Sequence, residues 1–286
     1  MQVVEPVMPV GEETESALRG GPDSPQLEAE EARPHKAVVR PDMPTQAEID
    51  QHRIDHIPYR AWCPECVEGF GRERAHHAHG AESRGIPLVS CDYMYISPKG
   101  VFSKEELPEG EQDAAVCVPV AKCGTTQCLF AHVVPQKGAD MDGFPVEQLR
   151  RDLQWLGHSR VMIRSDNEPA IVRVVDKVVK ALRATDGVES AAAEGSVPYD
   201  LQTNGTAEGA VRLIKGQFRT LLRGFERAIK GSVPIHHPVM AWLVEHAAYV
   251  RNARIVGPDG KTANQRARGS AGTTAFLAFG EMCRYK

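Results

Sequence analysis

The chain has 286 residues, of which 42% are hydrophobic and 25% charged, the composition of an ordinary globular protein long enough for one large domain or two small ones. Its longest apolar run, Ala114 to Ala121, falls far short of the roughly 18 residues of a membrane span. The opening MQVVEPVMPVGEE carries acid where an export signal carries positive charge, so membrane and secreted classes are excluded and an intracellular location is expected.

The net charge of −4 hides a segregation. Residues 1–50 hold eleven Asp/Glu against four Lys/Arg, whereas residues 205–286 hold thirteen Lys/Arg against five Asp/Glu. The last third therefore has the local charge of a nucleic-acid partner, which the overall balance conceals.

Residues 1–45 are rich in Glu, Pro, Gly and Ser, with no aromatic residue and no hydrophobic period. Such a segment cannot bury enough surface to offset chain entropy and reads as disordered. Thr45 then caps a short helix in TQAEIDQHRIDH, followed by PYRAWCPECVEGFGRERAHHAHG; together, residues 46–80 read as a small metal-bound module and its linker. A larger domain is expected over residues 86–255. Its elements are a buried strand in IPLVSCDYMYI, a polar connection PKGVFSKEELPEGEQD, a second strand AAVCVPVAKC and a third, TQCLFAHVVPQ, forming an antiparallel meander. A helix over PVEQLRRDLQWL stops at Gly157. Next come the strand VMIRSD, a helix opening at Pro169, a weak strand near GVESAAAEGSV and the loop PYDLQTNG. A long helix from about Thr206 to Ile229 and another in HPVMAWLVEHAAYVRNA complete it. The fold class is α/β, a mixed sheet flanked by helices. Residues 256–286 read as the start of a C-terminal extension.

Three carboxylates stand out. Asp92 lies inside an apolar strand, an expensive place for an unpaired charge. Asp166 ends the strand VMIRSD, where a helix cap is the ordinary explanation. Glu208 falls near the expected start of the long helix, where a negative charge suits the dipole. Taken together, two carboxylates from strands and one from a helix start in a single α/β unit could hold divalent cations for phosphodiester chemistry, and hard carboxylate oxygens suit Mg²⁺ or Mn²⁺. Beyond Glu208, Arg212, Lys215, Arg219 and Arg223 follow at intervals of three and four and share a helix face, a stripe fitted to a phosphate backbone.

A second cluster precedes the sheet. His52 and His56 are one helical turn apart, and Cys63-Pro64-Glu65-Cys66 follows after six intervening residues. Two imidazoles and two thiolates make a closed tetrahedral site for structural Zn²⁺. His76, His77 and His79 are substitute ligands or solvated linker residues.

With these residues in view, the chain resembles a family. The Asp92 strand, Ile163-Arg164-Ser165-Asp166-Asn167, and Asn204-Gly205-Thr206-Ala207-Glu208 with its basic helix look like the Asp-Asp-Glu core of retroelement integrases, closest to Copia-like long-terminal-repeat retrotransposon polyproteins. The resemblance covers residues 46–286, and FGEMCRYK is similar to the Phe-Gly segment after such cores. It implies a ribonuclease H-like fold and DNA integration, with Asp92, Asp166 and Glu208 as catalytic metal ligands. It likewise implies that His52, His56, Cys63 and Cys66 form a shortened zinc module and that Asn204 belongs to a mobile DNA-contacting loop. Element ends and target DNA as partners, self-association, a place in a larger Gag-Pol-type polyprotein and action in the nucleus are further implications. Asn167-Glu168-Pro169 stands where relatives commonly carry Asn-Gly. The rival readings are a hydrolytic nuclease, an inactive or domesticated DNA-binding protein on the same fold, and a zinc-stabilised assembly module.

Overall fold

The computed structural model describes residues 44–70, 85–111, 114–139, 143–195, 201–270 and 276–282, with backbone alone for 201–204. Residues 1–43 of the acidic segment expected to be disordered, the linker histidines His76, His77 and His79, and the last four residues lie outside these. In chain order the elements are α1 (Gln46–His52), α2 (Pro64–Phe70), β1 (Leu88–Ser97), β2 (Gly100–Ser103), β3 (Val116–Cys123), β4 (Leu129–Ala131), α3 (Phe144–Leu156), β5 (Arg160–Ser165), α4 (Pro169–Arg183), β6 (Ser190–Gly195), α5 (Leu201–Ile229), α6 (Val239–Arg254) and α7 (Ala263–Arg268).

The sheet runs β4-β3-β1-β5-β6, with β2 added against β1. β3 lies antiparallel to β1 and to β4, whereas β5 runs parallel to β1 and β6 parallel to β5. This is the mixed sheet flanked by helices that the sequence pattern implies. Alternation along β1 sorts its side chains onto two cores. Val89, Cys91, Tyr93 and Tyr95 pack with α3 and α4. Met94 and Ile96 pack with Ala210, Val211, Ile214, Phe218 and Leu221 of α5 and with α6. The period of two therefore puts Asp92 on the α5 side.

Three local expectations are corrected. The stretch expected as a polar connection contains β2, because Pro98-Lys99-Gly100 folds the chain back onto β1, pairing Ser97 with Gly100 and Met94 with Ser103. The expected third strand shortens to Leu129–Ala131 and a single bridge, Cys117 to Val134. The long helix begins at Leu201, not Thr206, so Asn204 and Gly205 lie in helix rather than in a loop, and Glu208 is beyond the first turn. The helix-dipole explanation of Glu208 lapses with that change. α7, unforeseen, opens on a capping box between Thr262 and Gln265.

Segment 46–70 and the sheet belong to one compact unit, residues 41–286. The C-terminal residues pack on the same body: Phe279 meets Phe225 of α5 and His246 of α6, and Phe276 stacks on Tyr249.

β4 is a sheet edge, and an edge leaves backbone groups to be satisfied. Buried Asn252 of α6 does this: its Nδ2 donates to Leu129 O at 2.7 Å and its Oδ1 accepts from Leu129 N at 2.8 Å. Asn252→Ala strands both groups and should lower the unfolding free energy by about 2–3 kcal/mol, read from the urea midpoint; an unchanged midpoint refutes the clamp.

Candidate metal centres

The His/Cys cluster is assembled by two short helices. Thr45 and Glu48 form a capping box that fixes the start of α1, which delivers His52 in its last turn. His56 takes a positive φ of 57°, turning its ring back toward the cluster. Cys63 immediately precedes α2 and Cys66 lies in its first turn. The ligand atoms of His52, His56, Cys63 and Cys66 all lie within 4.8 Å of one another, and all four residues are buried. His52 Nε2 is 3.3 Å from Cys66 Sγ, and His56 Nδ1 is 3.3 Å from Cys63 Sγ. Two ligands on one tetrahedral Zn²⁺ stand about 3.5 Å apart by the usual bond lengths, so the donor set fits that ion.

Electrostatics agree with that chemistry. Burial, reinforced by the neighbouring His52, pushes the His56 imidazole down to about 4, which keeps it neutral with a lone pair to offer. Burial also raises Cys63 to about 12 and shifts Cys66 upward. A bound cation would replace the thiol protons, the usual coupling of metal affinity to pH. Around the donors, the Cys63 thiol donates to Glu65 Oε2 at 3.1 Å, and Glu65 is paired with Arg227 of α5.

Helix α5 holds the module in place. Gln217 Nε2 donates to Asp55 O at 2.8 Å, Thr220 Oγ1 to Glu65 O at 3.2 Å and Arg219 Nη2 to Gly69 O at 2.7 Å. Two glycines let α2 and α5 approach: a Cβ at Gly69 would lie 2.0 Å from Thr220 Oγ1, and one at Gly216 would lie 2.2 Å from Phe70 Cε1.

The carboxylates gather at a fork in the sheet. On one side β1 pairs continuously with β3. On the other it pairs with β5 through Cys91 and with β2 only from Met94. Asp92 and Tyr93 fall in the gap between the two partners, next to the C-terminal end of β5, from which Asp166 emerges. Asp92 is 7% exposed, and its Oδ1 accepts from the Tyr93 N–H at 2.7 Å. Burial pushes this carboxyl up to about 7; the Tyr93 N–H opposes the rise, while Asp166 and Glu105 add to it. Lys104 Nζ stands 2.9 Å from Asp166 Oδ2 and 2.9 Å from Glu168 Oε2. Lys137 pairs with Glu168 as well and lies 5.4 Å from the ring centres of Tyr93 and Tyr95. Two carboxylates that disfavour each other's charge, one of them buried, are a donor pair that a divalent cation would relieve. Glu208 is exposed on α5. Among the described residues, the His/Cys cluster is the one group of three or more candidate ligands drawn within 4.8 Å, so the three carboxylates are not gathered that closely.

The basic stripe of α5 divides. Arg212 and Arg223 are exposed, with Arg223 3.1 Å from Glu226. Lys215 is 7% exposed and paired with Glu106 from the segment after β2. Arg219 is spent on the Gly69 carbonyl. Lys215 and Arg219 were expected on an open face; instead, the β2 insertion and the zinc module cover them, and neither cover follows from helical spacing. Asn204 sits on the α5 backbone, its side chain outside the described residues. Lys104, Lys137 and Glu168 were not anticipated. The Pro98-Lys99-Gly100 turn was the available signal, since a hairpin there carries Lys104 back beside β1.

No helix among the described residues is long and apolar enough to cross a membrane. No family model matches the chain, and no curated protein matches it. Solved structures similar to it include a simian T-cell lymphotropic virus intasome in complex with the PP2A regulatory subunit B56 gamma. That match has 16% identity and a TM-score of 0.45, covering 75% of this chain and 64% of that one, just under two thirds. The HTLV-2 integrase catalytic core domain in complex with magnesium is similar at 14% identity and TM-score 0.42 in its trimeric form, over 63% of this chain and 95% of that one. Its dimeric form gives 13% identity and TM-score 0.41, over 63% and 94%.

Proposed function

We propose that this chain is a retroelement integrase of the Copia-like sort, joining element DNA ends to target DNA by metal-dependent polynucleotidyl transfer. The observation that carries the reading is Asp92: a buried carboxyl at the one break in the pairing of β1, on the α5 side, beside Asp166. Nothing in the packing asks for an acid there, and its charged form is unfavourable in burial without a cation.

In this reading Asp92 and Asp166 hold Mg²⁺ or Mn²⁺, and Glu208 on the neighbouring helix is the third ligand. When bound, such ions activate the attacking oxygen and stabilise the leaving one in phosphodiester transfer. The Tyr93 N–H fixes the Asp92 carboxylate, and the Glu168 N–H, 3.3 Å from Asp166 Oδ1, orients Asp166. His52, His56, Cys63 and Cys66 hold structural Zn²⁺, which braces α2 against α5. Exposed Arg212 and Arg223 meet DNA phosphates, positioning a duplex without selecting sequence, while Lys215 and Arg219 keep α5 in place. DNA ends and target as partners, self-association, a polyprotein origin and action in the nucleus belong to the same reading. A DNA-binding protein without chemistry is the second reading, favoured by exposed Glu208 and by the ammonium beside Asp166.

Native mass spectrometry of the full chain should find one Zn²⁺, and Cys66→Ser should lose it with a marked fall in melting temperature, because metal affinity at such a site is folding energy. An unchanged melt after loss of the ion refutes a structural role.

Asp92→Asn, Asp166→Asn and Glu208→Gln should each reduce Mg²⁺- or Mn²⁺-dependent strand transfer on a labelled duplex by orders of magnitude while leaving DNA binding without those ions intact, with double changes costing little more. Melts of the metal-free proteins give an independent check. The folded Asp92 pKa lies above its unfolded value, so its contribution is present below about pH 4 and is lost as pH rises through about 7. Asp92→Asn should therefore melt higher than wild type at pH 8 and show no such gain at pH 4. Near-normal transfer by Glu208→Gln removes it from the ligand set, and inactive wild type favours the DNA-binding reading.

A further inference from the structure

We propose that Lys104 is a displaceable counter-ion: a divalent cation at Asp92 and Asp166 expels its ammonium, which then takes a phosphate of bound nucleic acid. This rests on reading those two aspartates as metal ligands, and it adds a residue to which the resemblance assigns no role.

Three observations carry it. First, Lys104 Nζ lies 2.9 Å from Asp166 Oδ2, so the ammonium stands at a carboxylate oxygen that a metal would need. A monovalent and a divalent cation cannot share that oxygen without strong mutual repulsion at a few ångströms. Secondly, Lys104 can leave. It follows β2 directly, its side chain is 37% exposed, and its second partner Glu168 already has Lys137. Thirdly, there is a place for it to go. A cleft of about 590 Å³ is lined by Lys104 together with Lys137, Gln136, His236 and His237. Much of the remaining lining is apolar, Val116, Val133 and Met240 among it, so these two lysines, two histidines and one amide are the groups the cleft offers an anion, and it shares Lys104 with the carboxylate fork. A phosphate chain running from the reacting bond into the cleft would meet Lys104 only after the metal had released it. Metal loading would thus strengthen DNA binding by one phosphate contact, and DNA would in turn favour metal, as linkage requires.

The test uses the zinc-loaded full chain. Mn²⁺ uptake is followed by the loss of the free-ion electron paramagnetic resonance signal. Binding of a mixed-sequence DNA duplex is followed by fluorescence anisotropy across a salt series, with and without Mn²⁺. Lys104→Gln should take up Mn²⁺ about fivefold more tightly than wild type, the upper range for losing a partly exposed ion pair. Wild type should show a log–log salt slope steeper by about 0.9 when Mn²⁺ is present, and Lys104→Gln should lose that increment. Lys104→Arg keeps the charge and should restore both behaviours. Lys104→Met, which removes the ammonium and keeps most of the side-chain length, should behave as Lys104→Gln does and serves as the second variant if Lys104→Gln does not fold. Unchanged Mn²⁺ affinity in both Lys104→Gln and Lys104→Met overturns the proposal, as does a slope increment that persists in either. Asp166→Asn separates the two levels. If it abolishes Mn²⁺ uptake while the Lys104 variants behave as wild type, only the counter-ion idea falls; if it takes up Mn²⁺ normally, the carboxylate reading falls as well.

Discussion

The site depends on an interruption in hydrogen bonding along one strand. β1 is the centre of the sheet, and its backbone is paired with β3 over almost its whole length. On its other edge the partner changes from β5 to β2, leaving Asp92 and Tyr93 between them. A central strand normally excludes a carboxylate, because the sheet covers both edges and helices cover both faces. The fork lifts that exclusion at one position. It opens where β5 ends, so the acid inside β1 and the acid following β5 become neighbours. Alternation then directs Asp92 toward α5 rather than toward α3 and α4.

Helix α5 is the second organising element, because it serves two masters at once. One side supplies Ala210, Val211, Ile214, Phe218 and Leu221 to the sheet. Another carries Gly216, Gln217, Thr220 and Arg227 to the metal module. The close approach at Gly69 and Gly216 leaves no room for a side chain on either helix, so the module sits directly on α5 backbone. Order in the His/Cys cluster is therefore mechanically tied to the helix that bears Glu208, Arg212 and Arg223.

Much of this was legible in the sequence, for physical reasons that can be named. The opening of α4 at Pro169 and the stop of α3 at Gly157, whose φ is 71°, are local signals and survive in the fold. So are the four metal-module ligands, whose residue types and spacing leave few alternatives. What was not legible is tertiary cover. Helical spacing puts Arg212, Lys215, Arg219 and Arg223 on one stripe correctly, but cannot say that Glu106 will sit over Lys215 or that Gly69 will take Arg219. The β2 hairpin was hidden because Gly100–Ser103 is short and is followed by a charged run, so its pattern reads as connection. Lys104 was missed with it. The early start of α5 was hidden because Asn204-Gly205 is a turn signal in isolation, and here the helix continues through it.

The two centres differ in what the fold demands of them. At the carboxylate fork the chain already balances itself. Lys104 and Lys137 stand against Asp166 and Glu168, and Asp92, pushed up to about 7, can remain neutral by holding a proton. The sheet around it is packed by two apolar cores that do not involve these groups, so the fork can exist with or without a divalent ion. The His/Cys cluster has no such balance. Its imidazoles are held neutral and its thiols protonated by burial, and α1 and α2, at seven residues each, are too short to form a core alone. A cation there would replace missing packing, whereas a cation at the fork would replace only a proton and an ammonium. The first is the condition of a structural ion and the second that of an exchangeable one, a division that follows from burial and charge before any reaction is considered.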